Sequence, residues 1–299
     1  MPDPSRREFL KTSLALGAGL LAAGRVTEPL ARGAEPGQKM SFGLVTYLWG
    51  KDWDVPTLIR NCHTAKLLGV ELRTGHAHKV EPNLSPAQRA EVKKRFADSP
   101  VRVVSIGSAE EFHHPDPARL AKAVEATRAY VRLGHDVGAS GVKVRPNDLP
   151  KGVPQEKTIE QIGKTLNVVG AFAADYGQQI RLEVHGGCAQ IPIIKRIIDI
   201  ADHPNVGLCW NSNATDLKGD GLAANFNLLR KRFGETAHVR ALDSKDYPFA
   251  DLIALFVETD YRGWILLEGS GTPKDPLSAC IAQRRLYDDM VAAARAKLK

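Results

Sequence analysis

Cysteine is scarce: Cys62, Cys188, Cys209 and Cys280 are the only four in 299 residues, and no two share a CxxC spacing. They form no recognisable disulfide framework, and a chain of this length can bury a full core without staples, so buried thiols are expected. Beyond the N-terminus no apolar run approaches the roughly 20 residues that a bilayer span takes, so no membrane contact is expected there. No cluster of Lys and Arg is interleaved with aromatics, which leaves a nucleic-acid groove without support. The first strand candidate is followed by "TYLWGKDWDVP", not by a glycine-rich phosphate loop, and this weighs against an open doubly wound sheet. After residue 40 no linker rich in Pro, Gly or Ser interrupts the chain, so one domain is the economical reading.

The N-terminus has its own character. "SRREFLK" from Ser5 is followed by the apolar "TSLALGAGLLAAG" and the small-residue "ARGAE", the layout of an export signal. Paired Arg6 and Arg7 with Phe9, Leu10 and Lys11 behind them resemble the twin-arginine signal, a receptor-read address. Residues 1–34 are therefore expected to be that signal, cut after Gly33 or kept as an anchor, and residues 35–299 the working domain outside the cytoplasm. The formal net charge is +7 on the whole chain and falls to +5 without residues 1–34, only mildly basic.

From Ser41 onward short apolar runs alternate with longer helical patterns, as in a parallel α/β protein. Eight strand candidates are "SFGLVTY" from 41, "VELRTG" from 70, "VRVVSIG" from 101, "GVKVRP" from 141, "IRLEVH" from 180, "VGLCWN" from 206, "HVRALD" from 238 and "GWILLE" from 263. Eight such units predict a (β/α)8 TIM barrel, α/β in class, with its chemistry at the C-terminal strand ends. Side chains alternate along a strand. Glu71 and Arg73, Lys143 and Arg145, then Arg181, Glu183 and His185 should face inward, as should Cys209 and Asn211, His238 and Arg240, and Leu266 and Glu268. Val142, Val144, Leu182, Val184, Leu208, Ile265 and Leu267 should face the helices. So much inward charge is costly without a function, and it marks the mouth as a binding or catalytic site.

A Glu ending the fifth strand ("RLEVH"), a polar residue ending the sixth ("GLCWN"), a His in the seventh ("HVRALD") and a Glu ending the eighth ("ILLE") resemble the xylose isomerase-like family of sugar isomerases and epimerases. The resemblance spans nearly all of residues 35–299. It implies a TIM barrel in which Glu, Asp, His and Glu bind one divalent metal, often manganese, magnesium or zinc, while the two glutamates move a substrate proton beside a carbonyl. The glutamates fall on Glu183 and Glu268, the expected catalytic pair. The aspartate falls on Asn211. The family's histidine stands three residues before an acidic residue, and counting back from Asp243 reaches Arg240, which cannot ligate a metal; His238 lies two residues earlier on the same face.

Two readings stay open. Glu183, Asn211, His238 and Glu268 could hold a metal more weakly than the family's set, or Arg240 with Lys143 could supply the positive charge instead. The balance leans toward no tightly bound metal. Arg73, His78, Lys143, Arg145, His185 and Arg240 are expected to contact substrate, with His76, Glu111, His113 and His114 also near the rim. Trp49, Trp53 and Trp210 could stack on a sugar ring, though packing is their commoner use.

The expected partner is a small-molecule carbohydrate or sugar acid, with no nucleic acid and no membrane beyond the signal; the oligomeric state stays open. Catalysis would be isomerisation or epimerisation through an enediolate. The alternative is a non-catalytic carbohydrate or sugar-acid binding protein on the same barrel. The related abasic-site endonucleases need a multi-His zinc pattern that the nine histidines do not form.

Overall fold

The computed structural model describes residues 35–298; the expected signal, residues 1–34, lies outside them. Eight strands alternate with eight helices. They are β1 (Ser41–Val45), α1 (Val55–Ala65), β2 (Gly69–Arg73), α2 (Pro86–Ala97), β3 (Arg102–Glu111), α3 (Pro117–Val137), β4 (Gly141–Arg145) and α4 (Gln155–Ala174). Then come β5 (Gln179–Glu183), α5 (Ile191–Ile200), β6 (Val206–Cys209), α6 (Gly221–Leu229), β7 (Thr236–Val239), α7 (Phe249–Glu258), β8 (Trp264–Leu267) and α8 (Pro276–Lys297). This is the (β/α)8 barrel that the repeat predicts.

Local chemistry sets where helices begin. Asp54, Ser85, Asp116 and Asp275 each accept a backbone N–H at the start of α1, α2, α3 and α8, and each of these helices carries proline in its first turn. A short acceptor satisfies an otherwise orphaned donor, and proline costs nothing where no N–H is needed.

The parallel strands run in the order β6-β5-β4-β3-β2-β1-β8-β7. Among the described residues the circle between β6 and β7 is closed by the bridge Leu208↔Phe233 and by two backbone bonds, Gly234 N to Leu208 O and His238 N to Trp210 O, each 2.7 Å. Two strands differ most from their sequence expectation. β3 runs on to Glu111, because after a register shift Glu111 pairs with Arg145 of β4. β7 starts two residues before His238, where Thr236 pairs with Trp264 of β8.

Alternation sorts the side chains as expected. Val142, Val144, Leu182, Val184, Leu208, Ile265 and Leu267 join the large core with the helices' apolar faces. Each such burial contributes about 1.5–3 kcal/mol, so the layer outside the barrel can carry the fold and the inside is free to be polar. Inside, among the described residues, only Val45, Val104 and Leu266, backed by Trp264, form an apolar patch. Glu71, Lys143, Arg181, Glu183 and His238 fill much of the remainder, none more than 1% exposed.

One inward charge is not at the mouth. The Arg181 guanidinium donates to Gln179 Oε1 (2.9 Å), Val104 O (3.0 Å), Ser140 Oγ (2.7 Å) and Glu235 Oε2 (3.0 Å). Ser140 and Glu235 immediately precede β4 and β7, so Arg181 plugs the opposite end of the barrel with its donors satisfied. All four cysteines are free and buried, as their spacing suggested. Among the described residues no helix is long and apolar enough to cross a membrane.

Candidate active site

A cavity of about 380 Å³ opens at the C-terminal strand ends. Glu183, Glu268, Asn211 and Lys143 line its inner wall, and Arg73, Arg145, His185 and Arg240 line it as well. Each except Lys143, which is midway along β4, stands at or just beyond the end of a strand, and alternation turns it inward. Behind Glu183 the chain turns sharply at Gly186, whose φ of +65° few side chains tolerate and whose Cβ position is filled by the Asn147 backbone. That turn places His185 so that Nδ1 donates to Asn147 Oδ1 at 2.9 Å.

The centre is a dense charge cluster. Lys143 Nζ lies 2.8 Å from Glu183 Oε2, and Asn211 Nδ2 donates to Glu183 Oε1 at 3.0 Å. His238 stands beneath: its Nδ1 is 3.5 Å from Glu183 Oε1 and 3.6 Å from Glu268 Oε2, while its Nε2 is 3.3 Å from Glu71 Oε1. Burial pushes the Glu183 carboxyl up, but the Lys143 ammonium and His238 outweigh it and hold the group well below the usual carboxylate range. Burial likewise opposes charge on Lys143, and the carboxylates of Glu183, Glu71 and Glu268 outweigh it, so Lys143 stays cationic. For His238, burial disfavours the imidazolium, yet the Cys209 sulfur and the Glu71 and Glu183 carboxylates raise its pKa well above normal.

Glu71 is the residue that sequence reasoning undervalued. Alternation places it inward without assigning it a role, and in the fold it forms the floor under His238. Its signal is Gly107 opposite, since a Cβ there would sit 2.6 Å from Glu71 Oε1; a glycine facing an inward acid marks room kept for that acid.

Several expectations are corrected. Arg240 does not lie between the carboxylates: its Nη1 donates to Asp246 Oδ2 (2.6 Å), its Nε donates to Ser212 O (3.1 Å), and it lies over Tyr247 and Phe249. The fixed cation beside Glu183 is Lys143. His78 lies outside the cavity, with Nε2 donating to Arg73 O (2.8 Å) and Nδ1 accepting from Val80 N (3.0 Å). His76, His113 and His114 do not line the cavity either; Glu111 turns to Arg145 Nη2 at 2.6 Å, with the latter two rings beside it. Trp210 is fully buried against Phe226 and Phe233, and Trp49 and Trp53 pack into the core, so none offers a face to the cavity.

The donor set fits a divalent ion. Glu183, His238 and Glu268 bring one ligand atom each to within 4.8 Å of one another. Both ring nitrogens of His238 are buried without a hydrogen-bond partner, and Glu71 Oε1, 3.3 Å from Nε2, stands where a carboxylate that orients a ligating imidazole would stand. Carboxylate and imidazole together suit zinc or manganese better than calcium. With Asn211 neutral and Lys143 already on Glu183, the set attracts a cation less strongly than three acids would.

The model of the family described as "Xylose isomerase-like TIM barrel" matches residues 59–288. Among solved structures, the apo 3-keto-D-glucoside 4-epimerase of E. coli superposes with a TM-score of 0.70 at 16% identity, covering 84% of this chain and 99% of that one. The D-allulose 3-epimerase of Methylomonas sp. gives 0.71 at 17% identity over 86% and 99%. The IOLI protein with a bound zinc atom gives 0.67 at 13% identity over 86% and 99%. At such identities the likeness concerns the fold. No curated protein sequence matches the chain.

Proposed function

The chain belongs to the xylose isomerase-like TIM barrel family, and from that membership we propose that it is a sugar isomerase or epimerase acting by proton transfer beside a carbonyl, through an enediolate. The observation that carries the proposal is the pair Glu183 and Glu268, from β5 and the end of β8, converging on one imidazole nitrogen at 3.5 and 3.6 Å within one cavity. One group, as a carboxylate, removes the proton and the other, as a carboxylic acid, delivers one; such an acid–base pair on a shared pocket can serve opposite faces of a carbon.

Lys143 supplies a fixed positive charge beside the developing enediolate oxygen, and such preorganised charge is worth most in a site this buried. His238, held by Glu71, keeps the two glutamates from repelling each other. A divalent ion held by Glu183, His238 and Glu268, with Asn211 as a neutral fourth donor, would polarise the substrate carbonyl.

Solvent-deuterium incorporation into a panel of aldoses and ketoses tests the proposal. Glu183→Gln should lower exchange by about 10²–10⁴-fold with the fold intact. A variant that exchanges at the full rate would remove Glu183 from the chemistry. The second reading, a non-catalytic carbohydrate or sugar-acid binder, is favoured by Arg240 and Asn211 standing where the family resemblance implies His and Asp. Ligand-induced stabilisation without any exchange would select it. Export by the twin-arginine route belongs to the same proposal, and replacing Arg6 and Arg7 by Lys should retain the protein in the cytoplasm on fractionation.

A further inference from the structure

Four strong cations line the mouth: Arg73, Lys143, Arg145 and Arg240. Three are matched by the protein itself, Lys143 by Glu183, Arg145 by Glu111 and Arg240 by Asp246, at 2.8, 2.6 and 2.6 Å. Arg73 is not: among the described residues no carboxylate stands within ion-pair distance of it. Its side-chain hydrogen bonds to the protein both leave from Nη1, toward Thr74 Oγ1 at 3.3 Å and Gly107 O at 3.4 Å, and both are long.

The rest of the residue is held firmly. Its backbone N–H donates to Thr46 Oγ1 (2.9 Å), and its carbonyl accepts from the buried His78 (2.8 Å). A guanidinium fixed at its root and left with free donors facing a cavity is preorganised for a planar anion, which it grips through two parallel hydrogen bonds. A neutral polyol would leave that charge unmatched. Arg73 pairs with Gly107 of β3, and Gly107 pairs with Lys143 of β4, so an anion at Arg73 also lies close to the charge cluster around Glu183.

We infer that the mouth selects a sugar acid, whose carboxylate is received by the free edge of Arg73 while its polyol part reaches Glu183 and Glu268. This rests on the reading of the cavity as a sugar site.

Calorimetric titration of the full chain with D-glucuronate, D-galacturonate and D-gluconate, each against D-glucose, D-galactose or D-glucitol as its neutral counterpart, tests it; D-glucose 6-phosphate forms a further arm. At least one acid should bind about tenfold tighter than its neutral counterpart or better, and Arg73→Gln should erase that advantage. Arg73→Lys, which keeps the charge and loses the fork, should retain only part of the advantage, and it reads the same contact if the glutamine variant fails to fold. Acids that bind no tighter than neutral sugars, or an advantage that survives Arg73→Gln, would overturn the inference. A clear preference for the phosphate ester over every carboxylate would overturn the carboxylate assignment. Because binding is read without turnover, a protein that binds sugar acids and exchanges no proton would sink the isomerase proposal and leave this one standing.

Discussion

His78 shows how one residue can leave the role its sequence suggests and take up another. Counted along "RTGHAHKVEP" it falls at the mouth; in the fold it staples the loop after β2, bonding the Arg73 carbonyl with one nitrogen and the Val80 N–H with the other. Both bonds require the neutral ring, and burial pushes its pKa down to about 4. The unfolded chain takes up this proton below about pH 6.5 and the folded one only near 4, so acid removes roughly 3 kcal/mol of stability across that window. Asp216 works in the other sense. Buried, with Oδ2 accepting from Tyr247 and from the Asn213 N–H, its carboxyl is pushed up to about 7, so its share of stability is lost as pH rises through 7. The two slopes oppose each other between about pH 4 and 6.5. In urea titrations over that range His78→Gln should therefore weaken as pH rises, and Asp216→Asn should strengthen. Parallel profiles for the two variants would show the assignment to be wrong. At Gly107, substitution by Ala should cost about 1–3 kcal/mol in the same assay, because the new methyl meets the Glu71 carboxyl that His238 holds in place.

At the scale of elements, strand alternation was the most legible feature. It sorted Val142, Leu182 and Ile265 outward and Lys143, Glu183 and His238 inward without any structure. Height within the barrel was not legible, because it depends on how strands stagger against one another. Arg181 and Glu183 are two residues apart on one face, yet one plugs the closed end and the other lines the mouth. The seventh strand failed for a related reason. Position on the strand left Arg240 as one of two readings for the charge beside the glutamates, but a long side chain follows its strongest partner, and Asp246 lies in the loop that follows. Helix starts could have been read more fully, since a short polar residue followed by proline marks α1, α2, α3 and α8. The cap of α8 is the most testable. Asp275 accepts from the backbone N–H groups of Leu277 and Ser278, and Asp275→Ala should cost about 1 kcal/mol in thermal or urea unfolding. The loss should fall on the helix whose Tyr287 stacks on Phe42 at 4.3 Å.

For the whole molecule, the repeat of eight βα units announced the barrel, and residues at strand ends announced where a site would be. Metal affinity was not written there, because it turns on how closely Lys143 approaches Glu183 and how Glu71 stands behind His238, distances that strand alternation does not give. Protein purified without chelator should carry well under one metal per chain and take up zinc reversibly on titration. Stoichiometric metal that survives dialysis against EDTA would contradict the weak donor set described above.

The closure between β6 and β7 has a mechanical corollary. With one bridge and two bonds in place of a full ladder, it is the seam along which the cylinder should part first, and amides of 206–209 and 236–239 should exchange with deuterium ahead of the other strands. Glu183 and Asn211 stand on one side of that seam, His238 and Glu268 on the other. Whatever bridges the two glutamates thus acts as a rivet, and occupancy of the mouth should register as slowed exchange down the whole height of the wall, even where no ligand reaches.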